Sequence, residues 1–407
     1  RTALALTRQI VRWVLFAGLV VALLYLLGTI LGVRPPREFT IATGREGGAY
    51  YAFAEKYKAR LAGEGYTLHI RPTAGSIETI HLLQSGEVDA GFVQSTAPED
   101  VDVSGLNALA SLYYEALWIL YRNDLPQPPT RMPDLKGLRI GVGEEGSGTQ
   151  ASAVRVLDLN GVDSENSTFL AAPSSETAAQ LKAGELDAMV LVAGAESPLI
   201  IELITEPGIE LLPIDRADAY TSHNKNICSV VLHEGALDLK QNIPAEDKKL
   251  IAATATLVAS ENVHPDLARL LLIVASEIHS PGGILENAGE FPASVSVSIP
   301  MNQDAVRYLE NGPTGLERVM PLWMASRLER ILFLLLPAAL ILFPLIRGTP
   351  LALGILNRYR LKRRYTILRE IDQKTRAFDR EELNKAIARL QAFEHDISDR
   401  MNVPTSL

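Results

Sequence analysis

The chain has 407 residues, 47% of them apolar, enough to bury two or three modest hydrophobic cores. Its formal net charge of −9 argues against a nucleic-acid binder and against a folded domain that lies on anionic lipid. A single cysteine, Cys228, rules out an internal disulfide, and its place in the apolar run Ile227 to Leu232 reads as a small packing residue.

In chain order, residues 1–12 carry Arg1, Arg8 and Arg12, and Trp13 to Val33 follows as an uncharged run of 21 residues. At 1.5 Å per helical residue such a run crosses about 30 Å of hydrocarbon. It ends in Leu31-Gly-Val-Arg-Pro-Pro36 with no small-x-small cleavage site, so it reads as a retained anchor rather than a cleaved signal peptide. Next, Ile41-Ala-Thr-Gly-Arg-Glu-Gly-Gly-Ala-Tyr-Tyr51 is an apolar β-run that breaks into glycines and resumes as a helical pattern to Leu61. Glycines let backbone approach a ligand closely, and the unpaired N–H groups of a helix start favour an anionic group.

A partial copy follows. Ile140-Gly-Val-Gly-Glu-Glu-Gly-Ser-Gly-Thr149 again leads from an apolar run into a helix. Ala74-Gly-Ser-Ile-Glu-Thr to Asp89-Ala90 aligns with Ala172-Pro-Ser-Ser-Glu-Thr to Asp187-Ala188, and Gly86 and Gly184 stand 98 residues apart. Both copies read as a helix with Ser76 or Ser174 at its N-cap, a Gly C-cap, and an apolar strand. Two similar α/β lobes are expected, with a ligand cleft between them. Lobe I is expected over 37–124 and 220–325 and lobe II over 125–219, the chain crossing near Pro126 to Thr130 and Ile214 to Ala219. Asn226 to Leu232 is predicted as a strand, and Ala245 to Ser260 and Pro265 to His279 as helices packing on lobe I. A second, shorter anchor is expected at 328–346, interrupted by Pro337 and Pro344. The basic cluster Arg347, Arg358, Arg360, Lys362, Arg363 and Arg364 after it should stay cytoplasmic, which places both termini inside and the body outside. Over 347–407, Leu361 to Ile397 reads as a short helical hairpin, with Asp379 and Glu382 as a capping-box-like start to its second helix.

The ordered set Ala42-Thr-Gly44, Gly47-Gly48-Ala-Tyr-Tyr51, Gly75-Ser76-Ile-Glu78, Ser85-Gly-Glu-Val-Asp-Ala90 and Val93-Gln94 resembles the TAXI family of solute-binding proteins of TRAP transporters. The resemblance continues through Asp134 to Gly143, Gly146-Ser-Gly-Thr149 and Lys182 to Asp187, and covers about Phe39 to Leu316. It implies a type II periplasmic-binding-protein fold that captures an organic acid or amino acid and delivers it to a multi-span permease. The candidate ligand contacts are Gly47, Gly48, Ala49, Tyr50, Gly75, Ser76, Gln94 and Ser95 from lobe I, with Gly146, Ser147, Gly148 and Thr149 from lobe II. Backbone N–H groups and hydroxyls among them donate to an anion, Gln94 both donates and accepts, and Tyr50 covers the aliphatic part. Arg45 is the only charged candidate in the first loop, and a solvated loop residue is the equal alternative for it.

Other chemistries find little support. Gly141-Val-Gly143-Glu-Glu-Gly146 satisfies the dinucleotide fingerprint, but Glu144 and Glu145 would face a pyrophosphate and no acidic strand end follows at the required distance, so no cofactor is expected. The seven histidines form no metal-binding pair and no nucleophile elbow is present, so neither a metal site nor an enzyme is expected. Asp89 and Asp187, at matching places before buried strands, read as turn and cap contacts. Two functions remain: a membrane-tethered solute-binding subunit, and a membrane receptor that signals ligand-driven closure through its cytoplasmic hairpin.

Overall fold

The computed structural model describes residues 36–96 and 101–313, with isolated residues on either side. Arg34–Leu322 forms one compact unit; the other unit takes residues 1–33 and 323–407. The expected spans 13–33 and 328–346 lie for the most part outside the described residues, among which no helix is long and apolar enough to cross a membrane. Most of the expected hairpin also lies outside them. Of its second helix, Glu381, Asn384, Lys385, Ile387 and Leu390 are helical, and the Asp379 carboxylate accepts from Glu381 N at 2.6 Å.

The body is an α/β structure built on a ten-stranded mixed sheet, whose strands in chain order are β1 (Glu38–Thr43), β2 (Thr67–Pro72), β3 (Ala90–Gln94), β4 (Leu106–Arg122), β5 (Arg139–Gly141), β6 (Thr168–Leu170), β7 (Ala188–Ala193), β8 (Ile209–Leu211), β9 (Cys228–Leu232) and β10 (Lys248–Ser260). Their order across the sheet is β2-β1-β3-β10-β4-β7-β5-β6, with β8 paired to β4 and β9 to β10. Its first repeat comprises β1 (Glu38–Thr43), α1 (Ala49–Ala62), β2 (Thr67–Pro72), α2 (Ser76–Ser85) and β3 (Ala90–Gln94). The second comprises β5 (Arg139–Gly141), α3 (Gly148–Asp158), β6 (Thr168–Leu170), α4 (Ser174–Ala183) and β7 (Ala188–Ala193). In each repeat the strands run parallel, and each repeat borders one long antiparallel strand: β3 pairs with β10 (Lys248–Ser260), β7 with β4 (Leu106–Arg122). The copied details agree down to single groups. Gly86 and Gly184 close α2 and α4 in the left-handed region, at φ 76° and 77°, where glycine carries no Cβ penalty. The Asp89 carboxylate accepts from Thr40 N at 2.8 Å and that of Asp187 from Arg139 N at 2.9 Å, each fastening one parallel strand to the next. Both aspartates thus serve the structure, but as links between strands rather than as the turn and cap contacts expected. Ser76 and Ser174, expected as N-caps, are instead the first helical residues, with Gly75 and Pro173 at the caps.

Two corrections concern the passage between halves. Lys248–Ser260 is a strand, not the helix expected over Ala245 to Ser260. Its central residues are buried on both faces, so no period of two distinguishes it from a buried helix, while Ile251, Thr254, Thr256 and Val258 supply β-branched character. The chain also passes between halves inside β4 and β10 rather than at Pro126 to Thr130 and Ile214 to Ala219. Leu109, Leu112 and Leu257 pack in the first-half core with α1 and α7 (Pro265–His279), whereas Trp118, Leu120, Leu250 and Ala252 pack in a second-half core. β9 (Cys228–Leu232) contributes Val230 and Leu232 to that second-half core, although it was expected in lobe I. α7 packs on the first half as expected, beside α8 (Gln303–Asn311). The remaining elements, β8 (Ile209–Leu211), α5 (Pro198–Thr205) and α6 (Ala217–His223), flank the second half.

Candidate ligand-binding site

The two Gly-rich loops lead from the C-terminal ends of β1 and β5, and the structure brings them together. Arg45 of the first loop pairs with Glu144 of the second at 2.5 Å. Gln94, at the end of β3, lies against Gly148, the first residue of α3: a Cβ built at Gly148 would overlap the Gln94 Oε1. The Gln94 backbone N–H donates to Ser76 Oγ at 3.0 Å, so Gln94, Ser76 and Gly148 form one contact set drawn from three elements.

The helix starts differ in what they leave free. α1 begins after Gly48 and α2 after Gly75, and neither has a side-chain cap, so each turns first-turn N–H groups outward without an internal acceptor. Gly47 at φ 83° and Gly75 at φ 153° make these turns possible. α3 is different: Ser147 Oγ accepts from Gln150 N at 3.1 Å, and Gly146 N donates to Gln150 Oε1 at 2.8 Å. Thr149 Oγ1 accepts from Val192 N at 3.4 Å. Ser147 and Thr149 thus commit their oxygens as acceptors within the second half while each keeps a hydroxyl proton to donate, and the free backbone donors cluster on the first half with Ala49 and Tyr50 in the α1 first turn. Ser95 is likewise committed: its hydroxyl donates to Asn226 O and accepts from Thr254 N, both at 2.9 Å, tying the β3 end to β10 and to the segment before β9.

Tyr50 leads to a residue the sequence reading passed over. Its hydroxyl donates to Glu115 Oε2 at 2.6 Å, and Glu115 is 8% exposed in the middle of β4. Burial pushes the Glu115 carboxyl up to about 7, with the Tyr50 hydroxyl holding it partly back. Burial and Glu115 together push the Tyr50 phenol upward. Glu286 is pushed up to about 7, first by burial and also by Glu196, while accepting from Tyr114 N at 2.8 Å. A lone acid inside the apolar run Leu106 to Leu120 was the available signal for Glu115, since an unpaired carboxylate in a buried strand needs a reason. Among the described residues no group of three or more His, Cys, Asp or Glu side chains is placed to hold a metal. Cys228 is half-buried with its Sγ 2.8 Å from Ser296 Oγ, and burial raises its pKa.

The chain is similar to several solved structures. One is the periplasmic aliphatic sulphonate binding protein SsuA from Escherichia coli, 14% identical with TM-score 0.40, covering 60% of this chain and 68% of that one. Another is the amino acid ABC transporter substrate-binding protein AbpA from Streptococcus pneumoniae bound to L-arginine, 14% identical with TM-score 0.38, covering 61% and 91%. A third is the CcmR regulatory domain of Synechocystis PCC6803 in complex with 2-PG, 15% identical with TM-score 0.40, covering 60% and 97%. Likeness at this level extends none of their ligands to this chain. A further match runs over residues 41–311, from within β1 to the last residue of α8, and by it the chain belongs to the NMT1-like family.

Proposed function

We infer that this chain is a membrane-tethered, extracytoplasmic solute-binding subunit that captures a small carboxylate or amino acid and delivers it to a multi-span permease of the TRAP type. The observation that carries this reading is the meeting of two loops from opposite sheet halves, Gln94 against Gly148 and Arg45 against Glu144, beside the uncapped starts of α1 and α2. Such starts suit a carboxylate by hydrogen bonding and by the helix dipole together. The tether rests on the two apolar runs and the basic cluster after the second. It confines the binding body near its membrane partner, which raises the effective concentration there.

Gly148→Asp tests the cleft. The new side chain would displace Gln94 and add a negative charge at the α3 start, so a carboxylate found by calorimetry on the full chain should bind at least about tenfold more weakly. Equal affinity in parent and variant would remove Gly148 from the site. Topology has its own check: in a Cys228-free background, an impermeant thiol reagent applied from outside should label Ser104→Cys and spare Ser406→Cys. A second reading, a receptor signalling through the cytoplasmic segment, draws on the Asp379 cap and the Glu381 to Lys385 ion pair at 2.9 Å, which show helical order there.

A further inference from the structure

Glu115 stands at the seam of the sheet. It pairs across to Ala253 of β10; on one side Tyr113 pairs with Ala255, the residue that also meets Gln94, and on the other Ala116 pairs with Ala193 of β7. The first half's ladder thus ends and the second half's begins on either side of this one carboxylate. One of its oxygens takes the Tyr50 hydroxyl, and the other accepts no hydrogen bond from the described residues. The surroundings are acidic. Tyr113, two residues away on β4, is pushed upward by burial and then by Glu115, Glu286 and Glu196, and only the Tyr50 hydroxyl opposes the upward push on Glu115 itself. A carboxylate buried with one neutral donor and no cation is costly, and a structural need for that donor would be met as well by glutamine.

We propose, on the reading of the cleft given above, that Glu115 holds a protonated amine of the ligand while the uncapped starts of α1 and α2 hold its carboxylate. The pairing selects compounds carrying both groups close together. Tyr50 links them, because it lies in the first turn of α1 and its hydroxyl reaches Glu115, so one tyrosine side chain and a hydrogen bond span the two subsites. α-, β- and γ-amino acids fit this spacing; simple mono- and dicarboxylates leave Glu115 without its partner. An ammonium between the Glu115 oxygens and the cleft would convert a destabilised buried acid into a charge-assisted hydrogen bond, worth roughly tenfold to a hundredfold in affinity.

The test uses the full chain in detergent with two matched series: the L-amino acids with β-alanine and γ-aminobutyrate, and propionate, butyrate, succinate and glutarate. The parent should bind at least one amino compound about 30-fold more tightly than the carboxylate lacking its amine. Glu115→Gln keeps an acceptor for Tyr50 and a similar volume, so it should unfold at a comparable temperature at acid pH yet lose that preference. Equal binding of both series by the parent, or an unchanged preference in a folded Glu115→Gln, overturns the role of Glu115 while a Gly148→Asp-sensitive site leaves the cleft reading standing. Failure of both series to bind overturns the two together.

Discussion

At Glu115 the same burial that fits a residue to meet a cation should be visible in stability without any ligand. Its folded value of about 7 lies above the ordinary 4.5, so the folded state holds a proton that the unfolded state releases between these two values. Stability from this group is therefore full below about 4.5 and lost as pH rises through about 7, a loss of about 3 kcal/mol at most. Glu115→Gln cannot titrate. Thermal unfolding of parent and variant should agree near about pH 4 and diverge by about pH 8, with the parent several degrees lower. His279 is held near 3 by burial and acts in the opposite direction, losing stability as the medium is acidified, but it is present in both proteins and cancels in the difference. A constant gap between the two profiles would mean that folding leaves the proton affinity of Glu115 unchanged. The sequence did point at the glycines and at Tyr50, whose types announce a close approach and a polar tip; it did not reveal that the Ser95 hydroxyl is taken up by Asn226 and Thr254 or that the Ser147 and Thr149 oxygens accept from the backbone of Gln150 and Val192. A hydroxyl's partner is a matter of tertiary geometry, and no spacing rule supplies it.

Among elements, the repeat was the most legible feature because helix start, Gly C-cap and apolar strand recur at a fixed offset, each with a local physical cause. The long strands were less so. β4 and β10 cross the whole sheet with no Gly or Pro at the passage, so the punctuation that marks a boundary in sequence is missing where the halves meet, and the Pro-rich stretch 126–130 drew attention instead. Close packing of α2 on β3 gives a sharper test of the fold than either. A Cβ built at Gly91 of β3 would overlap Thr79 Cγ2 of α2 and sit 3.4 Å from the Ala42 Cβ of β1, so the helix rests directly on the glycine. Gly91→Ala should destabilise the body by about 1–3 kcal/mol through overpacking. Thr79→Ser removes the offending methyl and keeps the hydroxyl that lies 3.1 Å from Thr73 Oγ1, so adding it to Gly91→Ala should recover part of the loss. Denaturant unfolding of the two single variants and the double variant measures the coupling; strict additivity would place α2 further from the strand than it is.

For the body as a whole, the contacts between loops of opposite halves among the described residues are polar: the exposed ion pair of Arg45 with Glu144, the Gln94 to Gly148 approach, and the Ser95 hydroxyl on Asn226 O. An exposed pair contributes about 1 kcal/mol or less, too little to hold the halves together against the freedom of two strands that can flex at their bulged register near Ala255 and Thr256. Ligand bridging the seam supplies what the pair lacks, so saturation should shift an ensemble with separated loops toward the arrangement described here. Fluorescent labels at Glu87→Cys after α2 and Asp158→Cys at the end of α3, in a Cys228-free background, sit on exposed positions of the two halves. Energy transfer between them should report a longer and broader distance without ligand and a shorter, narrower one with it. Arg45→Ala should lower the closed fraction without ligand and leave the saturated distance unchanged, because the ligand rather than the ion pair then sets the closed state. A distance insensitive to a ligand whose binding is confirmed by calorimetry would mean that the two long strands act as a rigid spine and that the cleft is preformed.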